Sequence, residues 1–523
     1  MNRSYLKQIG LTFTILFMAF SFFACTDTSG QSTQSPTATV SQTSPVEGEP
    51  TIEEPTILTW VCTSLNNDWS TKVAIHEVCK RANVELDITI KDVNVYNDFI
   101  VPLLASGSDL PDVVQMPNQD TDMNYINSGL FYDMTDLYEE HGENINKIFE
   151  EVPTLKKQLT TPEGRMFYFP SIVPAKENQQ TLLLTQSYVD TLGISAPTTI
   201  DELYDMLILI REQDVNDNGD MTDEVPLFIR AGKLLPLSGF WGIDLVSGYT
   251  ADDNGNLFYS YTSDRYRDFL TFFNDLYTNN LMNADFASAG FDIQNSLYSE
   301  NRIGIMVQYM PLAPSQTLSF NPEWDRTTDD LLVVPLAPLK GQYSDPYYVS
   351  RSALGSSFAI SAKSEKAEAA FKFMDFNMSE ESYLTKWFYP DNYTLTDSGF
   401  VMAIDQKHYN DNHAEYGGNF KGIPDYEQFI PISYGKAYDA LVPIIANGTR
   451  LPTILPTYML ADEIQTSKHY SSDLETYVEE MFMSFIIGRT SISDDWDDYL
   501  STCEALHAND MLAVKQAIYD RMN

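Results

Sequence analysis

The chain is poor in cysteine and in basic residues, and both shortages exclude classes of protein. Only 4 of its 523 residues are cysteine and none of them forms a CxxC pair, which excludes a disulfide-rich scaffold and offers no zinc or dithiol motif. Lys and Arg total 32 against 74 Asp and Glu, so the formal net charge is −42. Because such a surface repels DNA, RNA and anionic lipid, we predict no nucleic-acid binding.

Enzyme motifs are also missing. The sequence contains no GxSxG, HExxH, GxxxxGK[ST] or GxGxxG, and its histidines are scattered. The acid pairs at 494–495 and 497–498 could serve a glycoside hydrolase, but they flank Trp496 at a predicted helix start, where acids favour the helix dipole. We predict a protein that is not an enzyme, with a secreted glycan-active hydrolase using an Asp/Glu pair as the alternative.

What the chain does contain is enough apolar material for a large core. Hydrophobic residues make up 43% and aromatic residues 13% of the sequence, far more than a disordered acidic chain carries. At 523 residues the chain is too long for one core, so we expect two to three domains or one two-lobed body.

The N-terminus has the pattern of a lipoprotein signal. Arg3 and Lys7 precede an uncharged apolar run at 9–24, which is short of the roughly 20 residues that a membrane span needs. The segment FFACT at its end resembles a bacterial lipobox, with Phe at the usual Leu position. We predict that residues 1–24 are removed and that Cys25 carries a palmitate-type lipid on the outer face of the cell membrane. An ordinary cleavage nearby and an uncleaved anchor are the alternatives.

A polar segment follows the predicted lipidation site. Residues 25–56 are mostly Ser, Thr, Gln and Pro, with too few apolar side chains to fold on their own. We predict that they form a disordered tether between the lipid and the globular body.

From residue 57 the pattern changes to alternating strands and helices. Apolar, β-branched runs at 57–62, 84–88 and 112–116 predict strands, and helical spacing is found at 71–82 and around 99–104. This order predicts a mostly parallel α/β sheet, whose ligands lie at the carboxyl ends of the strands.

Helix boundaries are marked at three further places. Thr199 and Glu202 form a capping box ahead of an apolar stripe, which predicts a helix from residue 200. Near the C-terminus we predict a helix that is stopped by Gly488 and another that is N-capped by Ser493.

The end of the capped helix carries a calcium-loop pattern. Asp214, Asn216 and Asn218 occupy alternate positions, and Gly219 is sixth, where a sharp turn is needed. Val225 stands at the twelfth position in place of the usual Glu, so Asp223 and Glu224 would have to close the site. We predict a structural calcium site, with a solvated acidic turn as the alternative.

Several aromatic residues lie beside polar ones, which is typical of carbohydrate recognition because a flat ring packs on the apolar face of a sugar. On this basis we predict ligand contacts at Asn67, Trp69, Trp241 and Tyr309. For each tryptophan, a place in the core is the alternative.

Together these segments resemble a known family. The chain is similar to the extracellular solute-binding proteins of the maltose-binding-like class (family 1), especially the large lipoproteins of Gram-positive bacteria that serve oligosaccharide ABC importers. The resemblance is carried, in family order, by residues 103–114, 161–170, 187–203, 214–227, 495–499 and 517–520.

The resemblance implies an α/β, two-lobed periplasmic-binding-protein-like fold of the class II type, with a hinge and an inter-lobe cleft. Lobe 1 would comprise about 57–170 and 335–385, and lobe 2 about 171–334 and 386–523. In such relatives the acidic loop holds calcium, although this loop has one more residue between Gly219 and Asp223. Carried over by position, the ligands are Asp214, Asn216, Asn218, Asp220 through its carbonyl, Asp223 and Glu224.

The implied function is capture and delivery of a solute. A monomeric binding protein would close around an oligosaccharide, dock on the membrane subunits of an ABC permease, and touch the membrane only through its lipid. A surface lipoprotein with a sensory or partner-docking role is a further alternative.

Overall fold

The computed structural model describes residues 54–64, 71–117, 123–173, 179–325, 328–343, 347–349, 352–396, 399–402, 422–425, 441–445, 449–450 and 457–522. The predicted signal peptide, Cys25 and most of the predicted tether lie outside these residues, as do Asn67 and Trp69.

Strands and helices alternate along most of the described chain. The strands are β1 (Thr56–Ser64), β2 (Val84–Asp92), β3 (Val113–Gln115), β4 (Phe169–Ile172), β5 (Gln180–Thr185), β6 (Val225–Phe228), β7 (Tyr249–Ala251), β8 (Leu257–Tyr259), β9 (Ile303–Tyr309), β10 (Val333–Pro335), β11 (Tyr347–Tyr348), β12 (Leu354–Ile360), β13 (Tyr393–Thr396), β14 (Gly399–Met402) and β15 (Thr449–Arg450).

The labelled helices are α1 (Val73–Arg81), α2 (Tyr96–Ser106), α3 (Met123–Asn127), α4 (Thr135–His141), α5 (Glu143–Glu151), α6 (Pro153–Leu159), α7 (Gln186–Leu192), α8 (Ile200–Glu212), α9 (Asp264–Thr278), α10 (Phe291–Ser299), α11 (Ala313–Phe320), α12 (Ala367–Phe376), α13 (Glu380–Phe388), α14 (Ala461–Ile486), α15 (Trp496–Ala505) and α16 (Ala508–Met522).

The first sheet has five strands in the order β2-β1-β3-β12-β4. β1 pairs in parallel with β2 and β3, whereas β12 is antiparallel to both β3 and β4. Four of these strands therefore run in one direction and β12 runs against them, which confirms the prediction of a mostly parallel sheet and adds one reversed strand.

The second sheet has four strands in the order β10-β5-β9-β6. β6 is parallel to β9, and β5 is antiparallel to both β9 and β10. Here β5 is the reversed strand, so the carboxyl ends of β6, β9 and β10 meet the beginning of β5 at one edge.

Separate hydrophobic cores pack against the two sheets. The first core draws on buried residues from Leu58 to Ile172 and again from Leu354 to Met378. The main core of the second sheet runs from Leu182 to Leu339 and resumes at Leu474. The chain therefore passes from one core to the other more than once. Ile423 and Tyr458 pack with the first core, although they lie in the stretch that the sequence assigned to lobe 2.

Local signals place α8 as predicted. The Thr199 hydroxyl accepts a hydrogen bond from the backbone N–H of Glu202 (3.1 Å), and the Glu202 carboxylate accepts one from Thr199 N (3.2 Å). This is the reciprocal capping box that the sequence indicated. The buried face of the helix consists of Leu203, Met206, Leu207 and Ile210.

One predicted cap is wrong. Helix α15 begins at Trp496 with Asp495 at the N-cap, not with Ser493. The Asp495 carboxylate instead accepts a hydrogen bond from the backbone N–H of Ser491 (2.9 Å), which closes a turn ahead of the helix. Gly488 has a left-handed φ of 71° just after α14, as the predicted stop requires.

Cys62, Cys79 and Cys503 are buried free thiols. Burial raises the pKa of Cys62 and Cys79 to about 12 and that of Cys503 to about 11, which leaves these thiols protonated and unreactive. None of the helices in the described part of the chain combines the length and apolar character that a membrane span requires.

Candidate functional site

Polar side chains collect at the carboxyl edge of the second sheet. Arg230 follows β6 after one residue, and Gln308 and Tyr309 end β9. Gln180 begins the reversed strand β5 and pairs in register with Tyr309. The strand pairing thus brings together side chains from three distant parts of the sequence, at the edge where sheets of this kind bind their ligands.

Arg230 is the most unusual member of this group. Its side chain is only 6% exposed, its guanidinium lies 3.5 Å from the centroid of the Phe291 ring, and its Nη2 donates to Gln308 Oε1 (3.2 Å). Burial lowers the pKa of the guanidinium, while the nearby Tyr309 opposes that shift. An arginine nevertheless stays protonated at physiological pH, so this is a buried positive charge.

A second cation lies beside the first. The Lys233 ammonium is 4.7 Å from the centroid of the Tyr309 ring, and the Lys233 backbone N–H donates to Arg230 O (3.0 Å) in a tight turn. Phe291 is 53% exposed. The edge therefore presents two positive charges together with aromatic rings on which a sugar could stack.

The corresponding edge of the first sheet carries amide and hydroxyl side chains at β1, β3, β12 and β4, whereas β2 ends in the charged Lys91 and Asp92. Gln115, at the end of β3, accepts a hydrogen bond from Thr63 N (2.9 Å) and donates to Ser356 Oγ (3.2 Å). Ser356 N in turn donates to Ser171 Oγ in β4 (2.9 Å). This chain of hydrogen bonds fixes amide and hydroxyl groups at the ends of β1, β3 and β4.

The structure separates the aromatic residues that the sequence grouped together. Tyr309 lies at the sheet edge and is partly exposed. Trp241 is 5% exposed and packs against Phe269, with ring centroids 5.0 Å apart, within the second core. This placement fits the core alternative for Trp241. Asn67 and Trp69 lie outside the described residues.

Sequence reasoning missed Arg230 and noted Gln308 only as the polar neighbour of Tyr309. The available signal was a polar side chain directly after each of two apolar runs, 225–229 and 303–307, where a parallel strand delivers its last residues to the ligand edge. The contact between the two side chains, 78 residues apart, is not visible in the sequence.

The acidic loop lies between α8 and β6, and its backbone is wound around its own carboxylates. Asp214 accepts hydrogen bonds from Asn218 N (3.1 Å) and Gly219 N (2.8 Å). The Asp220 carboxylate accepts from Thr222 N (3.0 Å) and Oγ1 (2.7 Å), and these bonds lower its pKa. Gly219 has a φ of 89°, the left-handed turn that the spacing predicts.

Unpaired oxygens in this loop suit a hard cation. Asp223 Oδ1 and Glu224 Oε2 are buried without a hydrogen-bond partner, which is unfavourable for carboxylates unless positive charge is supplied. Asp223 Oδ2 contacts Arg302 Nε (3.0 Å), and Glu224 Oε1 accepts from Val215 N (2.8 Å). The all-oxygen donor set fits Ca²⁺. Among the described residues, however, no three acidic, histidine or cysteine side chains already cluster as a metal site.

The acid pairs near the C-terminus have structural surroundings. Asp497 and Asp498 occupy the first turn of α15, next to the N-cap Asp495, where negative charge stabilises the helix dipole. Nothing in their contacts sets one carboxyl apart as an acid and another as a nucleophile.

Two curated proteins of similar sequence bind glycans, according to their names. The fructooligosaccharide ABC transporter substrate-binding protein FusA of Streptococcus pneumoniae is 21% identical, over 87% of this chain and 88% of its own length. The polygalacturonan/rhamnogalacturonan-binding protein YtcQ of Bacillus subtilis is 26% identical, over 51% of this chain and 52% of its own.

Solved structures share the fold. The alginate-binding protein AlgQ2, in a crystal structure without calcium ion, superposes with a TM-score of 0.71 at 18% identity, covering 90% of this chain and 98% of that one. An EF-hand mutant of FusA in complex with fructo-nystose gives a TM-score of 0.71 at 20% identity, covering 89% and 99%.

These likenesses confirm the predicted α/β, two-lobed periplasmic-binding-protein-like fold. The profile of the bacterial extracellular solute-binding proteins matches residues 70–383. Because this family binds solutes, the prediction of a binding protein and not an enzyme is also confirmed, and the hydrolase alternative is not supported. The chain belongs to the bacterial extracellular solute-binding protein family.

Proposed function

We propose that this protein is the lipid-anchored, monomeric substrate-binding component of an ABC importer, and that it captures an oligosaccharide and delivers it to membrane permease subunits. Family membership across residues 70–383 carries this proposal. FusA and YtcQ, which bear glycan-binding names, support the choice of an oligosaccharide over a peptide or a metal.

The ligand would lie between the carboxyl edges of the two sheets. One side of such a cleft offers the hydrogen-bonded amide and hydroxyl groups around Gln115, and the other offers Arg230 and the ring of Tyr309. Asn67 and Trp69, which follow β1 in the sequence, remain predicted contacts on the first side. Hydroxyl groups of a sugar need both donors and acceptors, and its ring needs a flat apolar surface.

Closure supplies the mechanism. Lobe 1 would comprise about 57–170 and 335–385, and lobe 2 about 171–334 and 386–523, except that Ile423 and Tyr458 pack with the first core and Leu336 and Leu339 with the second. The crossing segments would form the hinge. A ligand that touches both lobes only in the closed form shifts the equilibrium toward closure by its differential affinity. The permease would then recognise the closed form, and no covalent bond changes.

Lipidation at Cys25 would hold the protein on the outer face of the cell membrane. The charged start, the apolar run at 9–24 and the FFACT segment support it. A palmitate analogue supplied to expressing cells should label the wild-type protein and not Cys25→Ser. Equal labelling of both would exclude this anchor.

The acidic loop would hold a structural Ca²⁺. Asp214, Asn216, Asn218, Asp220, Asp223 and Glu224 remain the proposed ligands, and the unpaired oxygens of Asp223 and Glu224 support the assignment. The loop connects α8 to β6, so a cation there would fix the approach of β6 to the sheet whose edge carries Arg230.

Calorimetry with the purified mature protein tests the function. We expect at least one member of a panel of defined oligosaccharides to bind and to be recovered unchanged. Recovery of shortened products would indicate a hydrolase. If no glycan bound and a peptide bound tightly, the result would contradict the sugar assignment.

A further inference from the structure

Three buried polar atoms at the edge of the second sheet have no hydrogen-bond partner: two are donors, and one, Gln180 Oε1, is an acceptor. Arg230 Nε and Gln308 Nε2 are both buried and have no hydrogen-bond partner. Gln308 Oε1 already accepts from Arg230 Nη2 (3.2 Å) and from Tyr309 N (3.0 Å). These two bonds fix the orientation of the Gln308 amide. If the amide were flipped, its NH₂ group would face the N–H groups of Arg230 and Tyr309, and donors would meet donors.

Arg230 and Gln308 are therefore neighbouring buried side chains, and each still has an N–H group that can donate a hydrogen bond. Burying an unsatisfied donor is unfavourable, and this holds more strongly for a charged one. A group that brings oxygen lone pairs to Arg230 and Gln308 would satisfy both. Sugar hydroxyls and carboxylates both qualify on this criterion.

The charge around this pair favours a carboxylate over a sugar hydroxyl as the ligand group. Neither Arg230 nor Lys233 forms an ion pair with a carboxylate in the described part of the chain, although acids outnumber bases by 74 to 32 overall. Asp285 is an acid on the loop that hydrogen-bonds to the segment after β6. Its carboxylate accepts from Asn283 Nδ2 (2.8 Å) and forms no ion pair with Arg230 or Lys233. In a chain so rich in acids, two adjacent cations left without a carboxylate point to a negative charge supplied from outside.

We propose that Arg230, Gln308 and Lys233 form a subsite for the carboxylate of a uronic acid, and that the captured oligosaccharide is therefore acidic. This inference rests on the proposed function and narrows its ligand class. The guanidinium edge meets a carboxylate through charge-assisted hydrogen bonds, Gln308 Nε2 adds a neutral donor, and Lys233 adds charge beside Tyr309.

The similar proteins do not decide this point, since their printed names include neutral fructooligosaccharides as well as uronic-acid polymers. The physical argument is local. With a net charge of −42 the surface as a whole disfavours anions, but screening at physiological salt limits that effect to about 8 Å. The buried Arg230 and the half-buried Lys233 would overcome it only for a ligand that places its carboxylate at this subsite.

The experiment uses the mature protein and matched sugars. Trigalacturonate and trimannuronate are each titrated as the free acid and as the methyl ester, with kestose and maltotriose as neutral probes. We expect at least one free acid to bind about tenfold to a hundredfold more tightly than its ester, because the ester removes the charge and keeps the ring. Raising the salt concentration from 20 to 200 mM should weaken binding of the acid more than binding of the ester.

Variants assign the effect to the subsite. Arg230→Gln should weaken binding of the free acid about tenfold to a hundredfold and change ester binding by less than about threefold. Arg265→Gln is the matched control. Arg265 lies in α9, also near an aromatic ring, that of Tyr343, but its Nη1 donates to Gly242 O (2.9 Å). Its replacement should leave the affinity for the acid within about twofold of the wild type. Thermal melting of each variant verifies folding.

The outcomes separate the two proposals. Tight binding of a neutral sugar, with no preference for either acid and an equal effect of Arg230→Gln on acid and ester, overturns the acidic-ligand inference and leaves the transport function standing. Binding of no oligosaccharide at all contradicts the proposed function, and the inference with it.

Discussion

Asp223 and Glu224 each have one carboxylate oxygen without a hydrogen-bond partner, and both lie in the acidic loop proposed to bind Ca²⁺. Each of these two buried oxygens lacks a hydrogen-bond donor, which is unfavourable for a carboxylate. Arg302 neutralises only part of this charge, through Asp223 Oδ2 and a hydrogen bond to Asp223 O (2.9 Å). Binding of Ca²⁺ to the loop should therefore increase the free energy of unfolding of the protein.

Glu224→Gln should abolish the stabilisation by Ca²⁺. In the wild-type protein, Ca²⁺ at 100 times its Kd would add about 2.7 kcal/mol to the free energy of unfolding, and a chelator would remove this gain. The variant keeps the acceptor for Val215 N and loses the charge. Melting curves with Ca²⁺ and with chelator measure the difference.

Asp217→Asn is the control for this prediction. Asp217 is an exposed acid of the same loop with a left-handed φ of 56°, which Asn tolerates. It should retain the full response to Ca²⁺. Equal responses of Glu224→Gln and the wild type would mean that the loop is a solvated turn.

Asp112 is a second residue at which charge is decisive. It joins β1 to the segment before α12, accepting from Thr59 N (2.9 Å), Thr59 Oγ1 (2.8 Å) and Ser364 Oγ (2.6 Å) and pairing with Lys366 Nζ (3.3 Å). Burial alone would raise the pKa of Asp112, but these hydrogen bonds outweigh it, and the pKa is lowered from 3.8.

The lowered pKa makes this contribution pH-dependent. A carboxyl whose pKa is depressed by folding contributes stability above its unfolded value, about 3.9, and loses it as the pH falls through the folded value. Asp112→Asn should therefore lower the free energy of unfolding by about 1–3 kcal/mol at pH 7, and the gap should narrow below about pH 4.

Urea unfolding of wild type and variant at pH 7 and at pH 3.5 measures the gap. Asp87→Asn, an exposed acid of β2, serves as the control and should change little at either pH. A difference for Asp112→Asn that is the same at both pH values would show that ionisation is not the cause.

At the scale of elements, the 3-10 turn at Leu235–Trp241 packs against β11 with no room for a side chain. A Cβ at Gly239 would lie 2.2 Å from the backbone oxygen of Tyr347, a contact that only a backbone shift could relieve. This close approach holds the turn that carries Trp241 into the second core.

Gly239→Ala should therefore destabilise the protein by about 3 kcal/mol or more, because overpacking against backbone cannot be relieved by a rotamer change. Gly290→Ala is the matched control, since a Cβ there meets nothing within 4 Å. Chemical unfolding of both variants checks the prediction. A loss at Gly239→Ala no larger than at Gly290→Ala would contradict it.

At the scale of the whole molecule, ligand-driven closure predicts a change in distance between the lobes. Because the described native thiols are buried and protonated, cysteines introduced by Glu85→Cys in β2 and Asp205→Cys in α8 would be labelled selectively. A binding sugar should change energy transfer between the two dyes, and a sugar that does not bind should have no effect. Unchanged transfer at saturating ligand would contradict closure.

Many elements of the fold depend on short stretches of neighbouring residues. The β-branched runs of the first three strands, the capping box at Thr199 and the left-handed glycine at 488 are each set by a few neighbouring residues, and the structure places them as expected. Where two local signals competed, the prediction was wrong: the N-cap position is Asp495 and not Ser493, and the Asp495 carboxylate closes the turn at Ser491 without capping the helix.

The sequence by itself determined the α/β class, the left-handed turn of the acidic loop at Gly219 and the family, because all three depend on short-range periodicity, spacing and motif order. Tertiary structure alone decided that β12 enters the first sheet between β3 and β4, that Trp241 lies in the core, and that Arg230 meets Gln308. These outcomes depend on contacts between residues far apart in the chain, and the same local sequence is compatible with a buried or an exposed position. Only the packing of the whole chain selects between them.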